Sequence, residues 1–136
     1  MPEFDKLTIG DQVAQKDFEI TRDSLVRYAG ASGDFNPIHY RDDVAQAVGL
    51  PGVLAHGMLT MGISISPVIE WLGDPGKVID YSVRFTKPVV VPADGAAVLS
   101  VTAIVGAIEE DRLRIDITTS FSGNNVLGKA QAWVKP

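Results

Sequence analysis

The sequence predicts an α+β domain over residues 1–136, in which an antiparallel β-sheet curls round one central helix. The first observation is a segment at 55–72 that is apolar on nearly every side, which predicts a buried helix over about 56–72. The second is a change of hydrophobic period from helical to two after residue 76, which predicts a run of strands. A sheet with one polar face must bury the other, and the apolar helix is suited to cover it.

Three short elements are predicted before the apolar helix: a strand over 11–20, a helix over 22–31 and a helix over 42–48. Thr21 is a favourable N-cap for the first of these helices, because its hydroxyl can accept a hydrogen bond from the first turn. Gly49 is typical of the residue that follows a helix C-terminus. Between the two helices, turn-forming residues at 32–37 predict an irregular loop.

Four strands are predicted after the apolar helix: 77–86, 96–108, 113–121 and 126–134. The first alternates apolar and polar residues, as a half-buried strand does. The second is apolar on both faces, which is typical of a central strand. A tight turn at Gly123-Asn124-Asn125 joins the last two strands in a hairpin.

Composition and charge exclude several classes of function. The chain carries 12 Lys and Arg against 17 Asp and Glu, with scattered basic residues, so nucleic acid is not expected as a partner. It has no cysteine, which excludes disulfides and thiol nucleophiles. The apolar segment is shorter than the about 20 residues that span a bilayer and contains Pro67 and Glu70, so membrane insertion is not expected. The first ten residues lack an apolar run, and the cytoplasm is the expected location.

The two histidines, His39 and His56, concentrate the search for a reactive site. Asp34 and His39 lie five residues apart on a loop that Pro37 stiffens, and this spacing matches neither a strand face nor a helix face. A curled loop can direct the carboxyl and imidazole groups at one point, where they would exchange protons with a substrate or water. In the alternative interpretation, Asp34 caps a turn and the His39 ring bonds only to the backbone.

His56 and Gly57 stand where the apolar helix is predicted to begin. The first N–H groups of a helix lack partners within it, and glycine allows a ligand oxygen to approach them. This position therefore predicts an oxyanion site. The alternative is that Gly57 serves close packing and that His56 caps the helix or packs against a loop.

Other chemistries fit the sequence poorly. The segment GISIS at 62–66 starts like a nucleophile elbow, but it ends in serine and lies mid-helix. The loop at Asp34 lacks the glycine and the final acidic residue of a calcium loop. No glycine pattern for dinucleotides or phosphates occurs, and two histidines so placed predict no metal site.

The segment YAGASGDFNPIH at 28–39 resembles the hydratase motif of MaoC-like dehydratases, also called (R)-specific enoyl-thioester hydratases. AHGML at 55–59 is similar to the second signature of that family, at the start of the helix of its hot-dog fold. The resemblance covers essentially the whole chain as a single hot-dog domain. Within the family, the chain looks most like the catalytic subunit of long-chain 3-hydroxyacyl carrier-protein dehydratases.

The resemblance implies reversible syn addition of water to trans-2-enoyl thioesters, which gives (3R)-3-hydroxyacyl thioesters without a cofactor. His39 would take a proton from the water, Asp34 would supply the proton for the α-carbon, and the Gly57 N–H would bind the thioester oxygen. Four further residues are expected to bind substrate: Ser32, Asn36, His56 and Ser64. The chain departs from the family at two positions. One is Ala31, and the other is Ile65, which stands where some members place a serine of the substrate pocket.

Two other functions stay open for a hot-dog fold: an acyl-thioesterase and a non-catalytic acyl-binding partner subunit. A thioesterase needs an acid or base on the central helix, where Glu70 lies near the wrong end. A partner subunit typically lacks the Asp34/His39 pair. The expected partners are an acyl-CoA or acyl carrier protein thioester and a second hot-dog subunit, in a homodimer or a heterodimer, because one curled sheet leaves an edge strand uncovered.

Overall fold

A helix of 16 residues lies at the centre of the fold in this computed structural model, which describes residues 2–136. The helices are α1 (Arg22–Ser32), α2 (Asp42–Ala47) and the central α3 (Gly57–Leu72). The strands are β1 (Gln12–Ile20), β2 (Val78–Phe85), β3 (Ala97–Ile108), β4 (Leu113–Phe121), β5 (Asn124–Asn125) and β6 (Leu127–Val134). Short 3₁₀ turns occupy Phe4–Lys6, Pro37–His39 and Pro75–Lys77.

The six strands form one antiparallel sheet in the order β1-β3-β4-β6-β2, and the short β5 pairs with β4. Helix α3 contacts β1, β2, β3 and β4, so the sheet curls round it. The core lies between them, where Val68 and Leu72 of the helix and Leu99 and Ile115 of the sheet are fully buried. Because apolar contact with the helix covers the inner face of the sheet, this is the hot-dog arrangement, and the predicted α+β class is confirmed.

Local signals placed the helix ends well. The Thr21 hydroxyl accepts a hydrogen bond from the Ser24 N–H, and the Ser24 hydroxyl accepts one from the Thr21 N–H, which forms a reciprocal cap on α1. Gly49 has a φ of 87° just beyond α2, in the left-handed region that glycine favours. These two predictions from the sequence are confirmed.

Helix α3 is buried on one side rather than all round. Ile65, Val68 and Leu72 face the core, whereas Met58 is exposed and Ile63 is half-buried. The predicted burial of this helix is therefore confirmed for the side that faces the sheet, whereas no other part of residues 2–136 completely covers the opposite side. Within the same residues, no helix has both the length and the hydropathy to span a bilayer.

The apolar residues of β2 and β3 are less buried than their pattern indicates. Strand β3 does lie inside the sheet, between β1 and β4, but its outward Val98 and Ile104 are exposed, because the outer face of the sheet has no second layer. Strand β2 is an edge strand, and its Ile79 and Phe85 are also exposed. Alternation alone does not tell an edge strand from an inner one.

The hairpin after β4 turns earlier than predicted. Ser122 and Gly123 both have positive φ, 50° and 77°, as a two-residue type I′ turn requires. Asn124 and Asn125 already pair with β4. The predicted turn at 123–125 therefore lies too far toward the C-terminus. Ser122, and not an asparagine, adopts the left-handed conformation beside Gly123.

Candidate active site

The loop from Ser32 to His39 is held by its own side chains. The Ser32 hydroxyl accepts a hydrogen bond from the Asp34 N–H, at 3.2 Å. The Asp34 Oδ1 accepts one from the Asn36 N–H at 3.1 Å, and the Asn36 Oδ1 accepts one from the Ile38 N–H at 3.2 Å. Such side-chain turns stabilise a conformation that neither a helix nor a strand provides. Ser32 and Asn36, expected at the substrate site, thus shape the loop that carries Asp34 and His39.

The loop brings Asp34 and His39 together. The Asp34 Oδ2 and the His39 Nε2 are 3.9 Å apart; the side chain of Asp34 is 51% exposed, whereas that of His39 is only 10% exposed. The His39 Nδ1 lies 2.7 Å from the Leu54 carbonyl oxygen. Since a carbonyl only accepts hydrogen bonds, Nδ1 carries the proton, and the neutral ring has its lone pair on Nε2. The pair therefore presents a base and a carboxyl group to the same point.

His56 lies beneath this pair and is only 1% exposed. Its ring stacks on His39 with centroids 3.8 Å apart and planes 22° apart, and it meets the Tyr28 ring edge-on at 4.7 Å. Its Nε2–H donates to the Asp34 carbonyl oxygen at 3.1 Å. Burial lowers the pKa of His56 below its usual range. His56 thus packs against both loop residues, and a ring this buried lacks the exposed surface that the expected contact with substrate needs.

Gly57 begins helix α3, and no atom of residues 2–136 accepts a hydrogen bond from its N–H. The N–H groups of Leu59 and Thr60 both donate to the His56 carbonyl, and the His56 side chain does not cap the helix. The phenyl ring of Phe85 covers Gly57, because a Cβ at this position would lie 3.1 Å from the ring. Beside them is a cavity of about 280 Å³, lined mainly by apolar residues from the start of α3, the end of β2 and the start of β6. The free N–H therefore opens on a mostly apolar space.

A model of the MaoC like domain matches residues 4–120. The chain belongs to this family. The matched range contains Asp34, His39, His56 and Gly57, so the candidate catalytic residues lie within the part that matches the family.

Several relatives of this MaoC-like domain are known. It is 42% identical over 74 residues to the 3-hydroxyacyl-thioester dehydratase X of Mycobacterium tuberculosis, an alignment that covers 54% of this chain and 25% of that protein. It is 28% identical over 116 residues to the (R)-specific enoyl-CoA hydratase of Rhodospirillum rubrum, across 85% of this chain and 78% of that one. The chain thus spans a quarter of the length of the first relative and most of the second.

Solved structures share the fold closely. A MaoC-like dehydratase matches with a TM-score of 0.94 and 36% identity, over 98% of this chain and 42% of that chain. A subunit of the ChsH1-ChsH2 complex of Mycobacterium tuberculosis matches with a TM-score of 0.82 over 95% of this chain and 98% of that chain. At 15% identity, the second likeness concerns the fold alone.

Ser64 of the MaoC-like domain lies apart from the Asp34/His39 pair. It is fully buried on the side of α3 that faces the sheet. Its hydroxyl lies 2.7 Å from the Thr60 carbonyl, to which it donates, and 2.6 Å from the Thr119 hydroxyl. The structure therefore gives Ser64 a buried packing position in which the Thr60 carbonyl takes its hydroxyl proton, and a contact with substrate stays a prediction from the sequence.

Asp34, His39 and His56 each offer an atom that could ligate a metal, and these atoms lie within 4.8 Å of one another. However, the His39 Nδ1 and the His56 Nε2 already bond to backbone carbonyls. Because the two rings are stacked in planes only 22° apart and their lone pairs lie in those planes, the geometry does not favour convergence of both lone pairs on one ion. The set fits proton transfer better than metal binding.

Three contributions to the site carry no signal in the sequence. The Leu54 carbonyl fixes the His39 tautomer, and any residue type supplies a carbonyl. Tyr28 packs on His56, but its position on the apolar face of α1 indicates only a core residue. Phe85 covers Gly57 from a strand whose pattern indicates ordinary alternation.

Hydrogen bonds of the Arg22 and Asp42 side chains hold the segments that carry the site. The guanidinium donates to the Val91 carbonyl and to the Asp42 carboxylate, and the same carboxylate oxygen accepts from the Val53 N–H. The hydrogen bond from Arg22 lowers the pKa of Asp42. These contacts join the starts of α1 and α2 to the segment that leads into α3, so the loop and the helix N-terminus keep one relative position.

Proposed function

We propose that this MaoC-like domain catalyses the reversible hydration of trans-2-enoyl thioesters to (3R)-3-hydroxyacyl thioesters, as a hydro-lyase of fatty-acid metabolism. The observation that carries the proposal is the Asp34/His39 pair, with an imidazole lone pair and a carboxyl group 3.9 Å apart. The names of the dehydratase and hydratase relatives support the same reaction. Proton transfer to and from one substrate is the chemistry that such a pair performs.

In hydration, the oxygen of water bonds to the β-carbon while its proton passes to the His39 Nε2. Asp34, protonated at the start, delivers its proton to the α-carbon. The pair changes from a neutral acid and base to an imidazolium and a carboxylate, and its total charge stays constant. One proton that returns from His39 to Asp34, directly or through solvent, restores the starting state.

The thioester oxygen is placed at the Gly57 N–H in this proposal. Negative charge develops on that oxygen as water adds to the β-carbon, and a fixed N–H at a helix N-terminus stabilises it. The cavity beside Gly57 offers apolar lining for the adjoining part of the substrate. The volume of about 280 Å³ lies just below the range of roughly 300–1,000 Å³ that is typical of ligand sites.

The thioesterase alternative is less well supported. Its candidate acid, Glu70, forms an exposed ion pair with Lys16 at 2.8 Å, near the C-terminal end of α3 and away from the Asp34/His39 loop. The alternative of a non-catalytic partner subunit does not use the lone pair of His39. We therefore retain hydration as the function that uses every feature of the site.

The direct test is whether purified protein bleaches the conjugated absorbance of a short trans-2-enoyl-CoA and forms the 3-hydroxyacyl product. We expect turnover by the native chain and not by His39→Gln. A native chain that stays inactive on both CoA and carrier-protein thioesters, alone and with a second hot-dog subunit, while it remains folded, would contradict the proposal. Release of free thiol without a hydroxyacyl product would favour the thioesterase instead.

The substrate carrier and the partner subunit also belong to the proposal. We propose an acyl-CoA or acyl carrier protein thioester as substrate and a dimer of hot-dog subunits, because the edge strand β2 exposes Ile79 and Phe85. Light scattering of the chain alone should give about twice its 14.6 kDa. An active monomer would contradict the dimer, and an inactive chain rescued by a second hot-dog protein would select a heterodimer, as in the ChsH1-ChsH2 complex. A cytoplasmic location stays a prediction from the sequence.

A further inference from the structure

His56 touches both members of the acid–base pair without being exposed to a substrate. Its ring stacks on His39, and its Nε2–H donates to the main-chain carbonyl of Asp34, 22 residues earlier in the chain. Tyr28 packs against its edge. A single buried side chain thus connects the base, the acid and helix α1 with the start of α3.

The hydrogen bonds of His56 determine its protonation. Because the Asp34 carbonyl accepts from Nε2, that nitrogen carries the proton of the neutral ring. Among residues 2–136, the His56 Nδ1 has no hydrogen-bond partner. A second proton there would create a buried cation with an unpaired N–H, beside the ring that must itself become cationic during turnover. The titratable groups that face His56 are Asp34 and His39 from the loop and Tyr28 from α1.

We propose that His56 is a positioning residue for the hydration reaction: as a neutral ring, it fixes the plane of His39 by stacking and the main chain of Asp34 by its Nε2–H. This inference rests on the proposed function, since it assigns a role within that site. Its physical basis is that catalytic groups lose much of their effect when their positions shift by fractions of an ångström. His56 does not contact the reacting atoms.

Two substitutions separate the two contacts. His56→Gln keeps an N–H donor near the position of Nε2 but removes the stacked ring, whereas His56→Phe keeps a stacked ring but removes the donor. We expect each to lower kcat about tenfold with little change in KM, and His56→Ala, which removes both, to lower it about 100-fold. The matched control is Thr119→Val, which removes a buried hydrogen bond to α3 away from the pair. Unchanged kcat in both His56→Gln and His56→Phe, or an equal loss in the control, would overturn the inference.

A second measurement does not depend on activity or on the His56 variants. The chain has two histidines, so nitrogen-15 NMR of their rings can be assigned with His39→Gln alone. We expect the Nδ1–H tautomer for His39 and the Nε2–H tautomer for His56. The His56 ring should also stay neutral as the pH falls below 6.5, because burial lowers its pKa. An ordinary titration of His56, or the opposite tautomer, would overturn the inference even where the His56 variants fail to fold.

The same data separate this inference from the proposed function. Native protein that hydrates enoyl thioesters while the His56 variants match the control would remove the positioning role alone. Native protein without hydratase activity, alone or with a second hot-dog subunit, but with the expected tautomers and with His39 ring signals that shift in His56→Gln, which lacks the stacked ring, would remove the reaction and keep His56 as the residue that orders the pair.

Discussion

The two ends of helix α3 differ in how completely their polar groups are satisfied. The C-terminal end closes on Gly73, whose φ is 73° and whose N–H donates to the Ile69 carbonyl. Trp71 packs there against Phe4, with ring centroids 5.6 Å apart. At the N-terminal end, no group of residues 2–136 accepts a hydrogen bond from the Gly57 N–H, and the buried His56 has a nitrogen without a partner among the same residues.

This difference indicates that the C-terminal end of α3 serves the stability of the fold and the N-terminal end serves its chemistry. Capped carbonyls and packed rings are the ordinary end of a helix in a stable fold. Free donors and an unpaired buried acceptor cost stability, so their presence at one end points to a use for them. The predictions below test whether the reactive properties are confined to the N-terminal end.

The largest effect is expected from the acid–base pair. Asp34→Asn and His39→Gln should each lower turnover by at least about 100-fold, because each removes a proton-transfer group. The assay is hydration of a short enoyl-CoA, with the thermal transition of each variant as the control for folding. Normal activity in either folded variant would remove the catalytic assignment of that residue.

A smaller loss is expected at Gly57. Gly57→Ala would press its methyl group against Phe85, where a Cβ lies 3.1 Å from a ring atom. A shift of a few tenths of an ångström at the helix N-terminus should lower kcat about tenfold. Combining it with Phe85→Leu should restore part of the loss by removing the contact. A loss that persists unchanged in the double variant would mean that the Phe85 contact is not its cause.

The pH dependence of stability should report the buried histidine. Burial lowers the pKa of His56 from its ordinary value of 6.5, so below that pH the unfolded chain takes up a proton that the folded chain does not. The free energy of unfolding should therefore fall as the pH drops from 7 toward the lowered pKa, and this contribution is absent above 7. Over that pH window, the melting temperature of the native protein should fall more steeply with decreasing pH than the melting temperature of His56→Gln. Parallel slopes would contradict the lowered pKa.

The smallest effect is expected at the other end of the helix. Glu70→Gln removes an exposed ion pair with Lys16, which contributes roughly 0–1 kcal/mol to stability. Hydration should stay within about twofold of native, because no proton transfer passes through this carboxyl group. Thiol release measured on saturated acyl-CoA tests the alternative directly. A large loss of thioester hydrolysis in this variant would restore Glu70 as a catalytic residue.

The sequence predicted those features that depend on neighbouring residues. The Asp34/His39 pair sits within one loop, and the Thr21 cap needs only the next three residues, so local chemistry was enough. The core helix and the strands followed from hydrophobic period. The hydrophobic period predicted which face of each strand is buried, but not which strands lie at the edge of the sheet. Strand β2 is such an edge strand, and its residue pattern does not reveal this.

The remaining features depend on contacts between distant residues. Helix α3 is apolar round most of its surface, so its pattern gave no indication that Ser64 faces the sheet and bonds to Thr119. The bond from His56 to the Asp34 carbonyl joins segments whose side chains carry no matching signal. Such contacts become visible only when the loop and the helix are placed together.

The strand order also has a consequence for how the chain acquires its structure. Strands β3, β4 and β6 are neighbours in the sheet and close in the chain, with only the two-residue β5 between the last two, whereas β1 and β2 join the sheet through distant pairings such as Gln12 with Ile104. Closing such long loops costs entropy before the pairing compensates for it, so the C-terminal meander is expected to form first during folding. The loop and helix that hold Asp34, His39 and His56 are made earlier on the ribosome but have no sheet to dock on until residues 97–134 have emerged.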